Sequence, residues 1–381
     1  MSSTSNEKKN SNLHNAKRAK QDEFYTQWVD IETEMNAYLD YDKDVFRGKT
    51  ILLPCDDPSW SNFTKYFALR FEDYGIKKLI STSYAPKSNM DGMFYEPEPG
   101  LFEDAFYDEQ KDFERGKIFI LEQGKDSNRD GRINIEDFEW EYLEGDGDFR
   151  SDEITKLRDE ADMVITNPPF SLFREFIAWL IAGDVEFSII GNMNAITYKE
   201  VFPLIKNNEI WIGASGMKAM EYVIPKVYAG GKNNQRVDNS GIHYQKLGNT
   251  CWFSNIEHGR RHEPLPLMSM EDNLRYNKKI MKNDNSYKQY DNYDAIEVPV
   301  TAGIPSDYTG IMGVPISFLD KYCPEQFEIL GITDRQNTSG LRTKKYTIED
   351  SVKYNDLNAR SVVCVNGEYQ STYARILIRP L

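Results

Sequence analysis

A chain of 381 residues, 40% of them hydrophobic, can bury one large core or two ordinary ones, and its apolar runs are too short to span a membrane. Four scattered cysteines without a Cys-x-x-Cys pair indicate neither a disulfide framework nor a zinc site, and the N-terminus is polar rather than a signal peptide, so we expect a cytoplasmic protein. The net charge of −15 is unfavourable for binding DNA, although contact with a polyanion depends on local patches of Lys and Arg.

Residues 1–20 are basic and rich in Ser and Asn, which predicts a disordered tail because such a segment cannot bury a core. Beyond it, predicted strands alternate with helices, and this alternation indicates an α/β fold with a mostly parallel sheet. The first two predicted strands are residues 50–54 and 78–81, and a third strand region begins at 118–120 and has its last part at 138–143. The fourth to seventh are residues 163–166, 187–192, 210–212 and 251–253. The predicted helices are residues 23–39, 63–74 and 173–181.

The composition changes after about residue 262, where a polar stretch rich in Lys, Asn and Tyr is followed by short β segments. Residues 362–365, the turn Asn366-Gly367 and residues 375–378 predict a β-rich terminus with a hairpin. We therefore predict three regions: the tail at 1–20, an α/β domain at 21–262 and a smaller region at 263–381.

The most informative motif is Asn167-Pro168-Pro169-Phe170, directly after the predicted strand 163–166. Two prolines cannot donate main-chain hydrogen bonds, so they predict a rigid turn at the carboxyl end of a strand, where open α/β sheets bind ligands. The Asn167 side-chain oxygen and the Pro168 carbonyl suit an exocyclic amine such as that of adenine, and Phe170 suits stacking on its ring. An ordinary Pro-Pro loop is the alternative that the tetrapeptide alone leaves open.

This motif and its surroundings resemble the EcoRI-type adenine-specific DNA methyltransferases. The similar stretches follow the family's order, at residues 22–26, 54–58, 61–63, 147–151, 166–175, 190–200, 307–315 and 326–331. The resemblance implies a Rossmann-like class I methyltransferase fold, with a mostly parallel seven-stranded sheet and a smaller C-terminal target-recognition region. It also implies transfer of a methyl group from S-adenosylmethionine to N6 of a flipped-out adenine in double-stranded DNA, in a restriction-modification or orphan enzyme.

The resemblance assigns the cofactor to residues near the ends of the strands. Tyr25-Thr26 is similar to motif X, Asp148-Phe149 is similar to motif III, and Asp56-Asp57 lies where most relatives of this fold carry a glycine-rich turn. A solvated acidic loop is the alternative for Asp56-Asp57. The full set of expected cofactor residues is Tyr25, Thr26, Pro54, Asp56, Asp57, Ser61, Asn62, Asp148, Phe149 and Asn167.

Polar and basic residues of the later part of the chain are candidates for DNA contact, through guanine edges for Arg and phosphates for Lys. A solvated surface is the alternative for each of them. They are Asn194, Arg260, Arg261, Lys278, Lys279, Arg342, Lys344 and Lys345. We expect a monomer, with a cognate restriction endonuclease that acts on the same site as a candidate partner.

Residues 126–137 follow the pattern of a calcium loop, with candidate ligands Asp126, Asn128, Asp130, Asn134 and Asp137. The last of these is Asp instead of the usual bidentate Glu, and the preceding residues do not predict an entering helix, so we assign no metal to catalysis. The sequence leaves three other functions open. They are a non-catalytic calcium- or nucleotide-binding interaction protein, a methyltransferase of RNA, and a methyltransferase of protein glutamine.

Overall fold

A computed structural model describes residues 25–57, 61–85, 109–125, 139–224, 234–281, 285–335 and 340–381. The predicted tail at 1–20 and the predicted calcium loop at 126–137 lie outside these residues. The chain divides into two compact units, the first with Met1–Asn192 and Lys218–Ile256 and the second with Met193–Met217 and Glu257–Leu381. Residues 193–217, which the sequence analysis places in the α/β domain, therefore group with the second unit. Among the described helices, none has the length and apolar character needed to cross a bilayer.

The described strands, in chain order, are β1 (Tyr25–Thr26), β2 (Thr50–Leu53), β3 (Lys78–Thr82), β4 (Lys117–Glu122), β5 (Glu139–Tyr142), β6 (Met163–Thr166), β7 (Glu186–Asn192), β8 (Trp211–Ile212), β9 (Met220–Ile224), β10 (Gln235–Val237), β11 (His243–Leu247), β12 (Thr250–Ser254), β13 (Ile296–Glu297), β14 (Met312–Pro315), β15 (Phe327–Ile332), β16 (Val362–Val365), β17 (Glu368–Ser371) and β18 (Arg375–Pro380). The α-helices are α1 (Trp28–Tyr41), α2 (Asn62–Leu69), α3 (Glu109–Glu114), α4 (Asp152–Glu160), α5 (Phe173–Ala182), α6 (Phe202–Lys206), α7 (Met270–Tyr276), α8 (Lys278–Met281) and α9 (Tyr354–Leu357).

Seven strands of the first unit form one sheet in the order β5-β4-β3-β2-β6-β7-β12. The central strands β3, β2, β6 and β7 are parallel, whereas β4, β5 and β12 pair antiparallel with their neighbours. The sheet is therefore mixed, which corrects the expectation of a mostly parallel sheet. Every residue of β2 and β6 is buried, whereas burial alternates along most of β4. That alternation is typical of antiparallel strands, but the apolar run at 118–121 hides it in the sequence.

A smaller antiparallel sheet of the first unit has the order β1-β9-β11-β10 and pairs Thr26 with Tyr222. This pairing explains why the helix predicted from residue 23 begins only at Trp28. Both helices α1 and α2 contribute to the main core of the unit, with Tyr38 of α1 also bonded through its hydroxyl to Ser188 Oγ at 2.9 Å. The helix predicted at 63–74 ends at Leu69.

The second unit contains a four-stranded sheet in the order β13-β14-β18-β15 and the separate hairpin β16–β17. The predicted turn is confirmed: Asn366 and Gly367 have φ angles of 52° and 84°, the left-handed conformation that type I′ hairpin turns require. All four residues of β17 are exposed, and so is Cys364 in β16. The expected strand at 375–378 lies within β18, which pairs with β14 and β15 and not with β16.

Candidate functional site

The carboxyl ends of three strands of the first unit lie side by side, because β2 pairs in parallel with both β3 and β6. The chain leaves β2 towards Asp56, leaves β3 towards Ser83 and leaves β6 towards Asn167. Open α/β sheets bind their ligands at this edge. The predicted Asn-Pro-Pro-Phe turn and the predicted acidic loop are therefore neighbours.

Asp56 is the buried centre of this edge, with 5% of its surface exposed. Ser61 Oγ donates to its Oδ1 at 2.7 Å, and Thr166 Oγ1 donates to its Oδ2 at 2.6 Å. The Ser81 hydroxyl donates to its main-chain oxygen, which adds the end of β3 to the network. Burial raises the pKa of Asp56 to about 7, although the hydrogen bonds from Thr166 and Ser61 oppose the rise.

Thr26 brings two other predicted site residues together. Asn62 Nδ2 donates to the Thr26 main-chain oxygen at 2.8 Å, and Asn167 Nδ2 donates to the Thr26 hydroxyl at 3.3 Å. In this bond Nδ2 is the donor, so Oδ1 is the acceptor end of the Asn167 amide. The predicted role of the neighbouring Tyr25 side chain lies outside what the structure describes.

The turn after β6 has the rigid form that its two prolines predict. Pro168 is buried, while Pro169 and Phe170 are half-buried. Leu172 donates its main-chain N–H to the Pro169 oxygen at 3.0 Å, in a short 3-10 helix over Phe170–Leu172. Within the described chain, the Pro168 oxygen accepts no main-chain hydrogen bond, which suits the predicted role as an acceptor. Phe170 packs against the main core of the first unit.

Asp148 lies near the same edge because its loop passes close to the end of β3. Gly147 has a φ of 80°, and a Cβ built there would lie 2.1 Å from the Ser83 carbonyl oxygen, so only glycine fits. The pKa of the Cys55 thiol is raised first by burial and then by the negative charges of Asp56 and Asp148. Asp148 therefore lies close enough to Cys55 to affect its ionisation. The predicted motif III residue Asp148 and the predicted acidic loop Asp56-Asp57 are therefore brought to one region.

The Asp148 carboxylate is bound by Arg150, through Nη2 at 2.6 Å and Nε at 2.9 Å. Arg150 Nη1 also donates to Glu175 at 2.8 Å. Burial alone would raise the pKa of Asp148, but the hydrogen bonds and the charge of Arg150 outweigh burial and lower it. Asp148 is thus ionised at neutral pH.

Phe149 points into the protein, where only 4% of its surface is exposed. Its ring lies 4.9 Å from the ring of Phe176 and 5.7 Å from that of Trp179, both on α5. These contacts attach the loop of Asp148 to the helix that follows the Asn-Pro-Pro-Phe turn. The expected contact of Phe149 with the cofactor stays a prediction.

Two of the arginines predicted to contact DNA have partners inside the second unit. Arg261 is buried, pairs with Glu257 at 2.9 Å and lies 3.9 Å from the centre of the Trp211 ring. Arg260 pairs with Asp320 at 2.9 Å. Both side chains therefore support the structure of the unit, whatever else they contact.

The other candidates are more accessible. Lys344 Nζ donates to Asp291 at 2.8 Å, and Arg342 lies beside the ring of Tyr293, 5.9 Å from its centre. The candidates with exposed side chains are Asn194, Lys278, Lys279 and Lys345. Within the described residues, no group of three or more His, Cys, Asp or Glu side chains could hold a metal ion.

Three residues without a predicted role contact predicted site residues, namely Thr166, Ser81 and Arg150. A signal was present for the first two, because each is a hydroxyl residue in the last positions of a buried strand that leads to the edge. Arg150 gave no comparable signal, since a surface arginine two residues after an aspartate is common.

Comparison with known proteins gives one consistent result. The sequence model of a family described as adenine-specific methyltransferase EcoRI matches residues 12–380. The chain is 42% identical over 319 residues to Type II methyltransferase M.EcoRI of Escherichia coli, which covers 84% of this chain and 88% of that protein. It is 31% identical over 373 residues to Type II methyltransferase M.MgeORF184P of Mycoplasma genitalium, covering 96% and 98%. It is also 31% identical over 321 residues to Type II methyltransferase M.MpnI of Mycoplasma pneumoniae, covering 84% of each. No solved structure matches the chain.

Proposed function

This chain belongs to the family of EcoRI-type adenine-specific methyltransferases, and from that premise we propose that it methylates N6 of a flipped-out adenine in double-stranded DNA. The observation that carries the proposal is the intact Asn-Pro-Pro-Phe turn at the carboxyl edge, with Asn167 Nδ2 bonded to the Thr26 hydroxyl. The parallel strands β3, β2, β6 and β7 are the part of the sheet that we assign to a class I methyltransferase fold.

The side chains at this edge fit S-adenosylmethionine by their chemistry. The cofactor carries a cationic ammonium and a cationic sulfonium, and the edge carries the carboxylates of Asp57 and Asp148 together with the Asn62 amide. The lowered pKa of Asp148 keeps its carboxylate able to accept hydrogen bonds from an amino group. When bound, the cofactor supplies an electrophilic methyl group on sulfur.

The residues of the turn prepare the acceptor nitrogen. Asn167 Oδ1 and the Pro168 carbonyl oxygen accept the two N–H bonds of the adenine amine, which draws the nitrogen towards tetrahedral geometry and makes its lone pair available. Because Pro168 and Pro169 hold these oxygens rigidly, little ordering is needed at the moment of transfer. Phe170 stacks on the target base, and the displaced proton passes to solvent.

The same features weigh against the other functions. A non-catalytic nucleotide-binding protein does not need two oxygen acceptors beside a stacking ring. The relatives named above are Type II methyltransferases, which favours DNA over RNA or protein glutamine for this chain. We further propose that residues 21–262 form the catalytic domain and that residues 263–381 recognise the DNA sequence, in a monomer that acts on the same site as a restriction endonuclease.

Sequencing with direct detection of modified bases tests the proposal in cells that express the chain. We expect N6-methyladenine at one position of one recurrent DNA sequence, with none in cells that express Asn167→Ala. RNA and protein from the same cells are assayed in parallel for methyladenine and methylglutamine. Unmodified DNA from cells that contain the folded chain would contradict the proposal, and modification confined to RNA or protein would select one of the alternatives.

A further inference from the structure

Asp56 is a buried carboxylate, and both of its oxygens accept hydrogen bonds from the protein. Their donors are Ser61, which caps α2, and Thr166, which ends β6. A buried carboxylate is costly unless it is hydrogen-bonded, so neither donor can move away without a large loss of stability. Asp56 therefore restrains the relative positions of the two segments.

These contacts close into a ring. Asp56 bonds to Ser61, the next residue Asn62 bonds to the Thr26 main chain, and the Thr26 hydroxyl bonds to the Asn167 amide. The residue before Asn167 is Thr166, and its hydroxyl bonds to Asp56, which closes the ring. We call this ring the Asp56 circuit, and its members are Asp56, Ser61, Asn62, Thr26, Asn167 and Thr166.

Ser61 is itself well anchored in the circuit. Its Oγ accepts the Phe63 N–H at 3.0 Å, as a cap of α2, while its hydroxyl hydrogen goes to Asp56. The Ser81 hydroxyl adds a third support by donating to the Asp56 main-chain oxygen. The circuit thus connects Asp56, Ser61 and Asn62, which we call the cofactor loop, to Asn167 of the predicted catalytic turn.

We propose that Asp56 is a positioning residue that couples the cofactor loop to the catalytic turn through Ser61 and Thr166. The inference rests on the proposed function for its effect on catalysis. In place of the expected direct contact with the cofactor, it gives the Asp56 carboxylate a positioning role. Asp56 acts on Asn167 through Thr166 and Thr26, and on the cofactor side through Ser61 and Asn62.

The decisive pair of variants is Thr166→Val and Thr166→Ser, because the first removes the donor to Asp56 and the second keeps it. We expect Thr166→Val to lower kcat at least tenfold while the cofactor Kd changes less than threefold, and Thr166→Ser to restore most of kcat. Ser188→Ala is the matched control, because it removes a buried hydroxyl of the same sheet that bonds to Tyr38 outside the circuit. It is expected to lower stability without changing kcat.

A double-mutant cycle tests whether the contacts form one circuit. Thr26→Val and Thr166→Val break it on opposite sides of Asn167. The loss of log kcat in the double variant should therefore be smaller than the sum of the losses in the two single variants. Strictly additive effects, a wild-type kcat in Thr166→Val, or an equal loss in Thr166→Ser would each overturn the proposal.

Hydrogen exchange gives a measurement that does not need activity. Peptides covering residues 166–173 should exchange faster in Thr166→Val than in the wild type, with Thr166→Ser close to the wild type. If the wild-type chain methylated no DNA but showed this pattern, the proposed function would fail and the coupling would stand. If DNA were methylated and the exchange of the turn did not respond to Thr166→Val, the coupling would fail and the function would stand.

Discussion

The two units of this protein carry very different charge. Residues 193–217 and 257–381 contain eighteen Lys and Arg against nineteen Asp and Glu, although the whole chain has a net charge of −15. Almost all of the excess negative charge therefore belongs to the unit with the candidate catalytic edge. The unit that includes the proposed recognition region is close to neutral.

This difference removes the main objection to DNA binding that the composition raises. Negative charge in the first unit suits a cationic cofactor, and at the carboxyl edge it is held by hydroxyl groups and by Arg150. The second unit uses arginines such as Arg261 internally and exposes lysines such as Lys278. The net charge of the whole chain therefore does not predict DNA binding when the two units differ in charge.

The largest effect is expected from Asn167→Ala, which tests whether the chemistry belongs to the first unit. Loss of an oriented acceptor should reduce methyl transfer by about 10³-fold, the upper end of what one such group contributes in other enzymes. The Kd of S-adenosylmethionine should change little, because Asn62 and Asp148 remain. Single-turnover kinetics and calorimetry measure the two quantities, and unchanged turnover would remove Asn167 from catalysis.

The second prediction concerns Asp56→Asn and the pH dependence of stability. The pKa of Asp56 is raised to about 7 by burial, so folding favours its protonated form, and the stability from this group is lost as pH rises from about 4 to 7. Across that window the unfolding free energy of the wild type should therefore fall relative to that of Asp56→Asn, by on the order of 4 kcal/mol for a shift of this size. Urea titrations from pH 4 to pH 8 measure it.

Asp57→Asn is the control for this pH window. The charge of Asp57 helps to raise the pKa of Asp56, so its removal should move the upper end of the window to lower pH without abolishing the window. If the stability difference between Asp56→Asn and the wild type did not vary with pH, the raised pKa of Asp56 would be contradicted.

Asp148→Asn sharpens the cofactor side of the comparison. Replacing an ionised acceptor by an amide should weaken the binding of S-adenosylmethionine by about 1.5–3 kcal/mol, which is ordinary for a hydrogen bond to a charged group. Glu175→Gln is the matched control, because it removes the other carboxylate bound by Arg150 and leaves Asp148 in place. Equal effects of the two substitutions would indicate a role in holding Arg150 instead of the cofactor.

The smallest effect is expected in the second unit, from Lys278→Ala and Lys279→Ala. Each lysine that contacts a phosphate contributes about one to the slope of log affinity against log salt concentration, so the slope should fall by about that amount for each substitution. Fluorescence anisotropy with a cognate duplex measures the slope. Arg275→Ala, which removes an exposed cation of α7 that pairs with Glu271, is the control. If the slope stayed at the wild-type value, neither lysine would contact a phosphate.

Much of the fold is predictable because its signals are local. Strand β6 and the turn after it follow from a short β-branched run before two prolines, and the hairpin turn follows from Asn366-Gly367. The mixed sheet was not predictable, because an apolar run such as 118–121 is compatible with either strand direction.

The candidate site was predictable only as a set of residues. Motif resemblance placed Asp56 and Asn167 in it, but their connection through Ser61, Thr26 and Thr166 depends on strand order, which no local pattern encodes.

The distribution of the thiols gives the protein a natural labelling site. Cys251 and Cys323 are buried, and burial raises the pKa of Cys55, so none of these three offers an accessible thiolate at neutral pH. Cys364 is exposed on the hairpin of the second unit. A maleimide dye should therefore attach at that position in the native chain without any cysteine being replaced, which would provide a fluorescent reporter on the proposed recognition region.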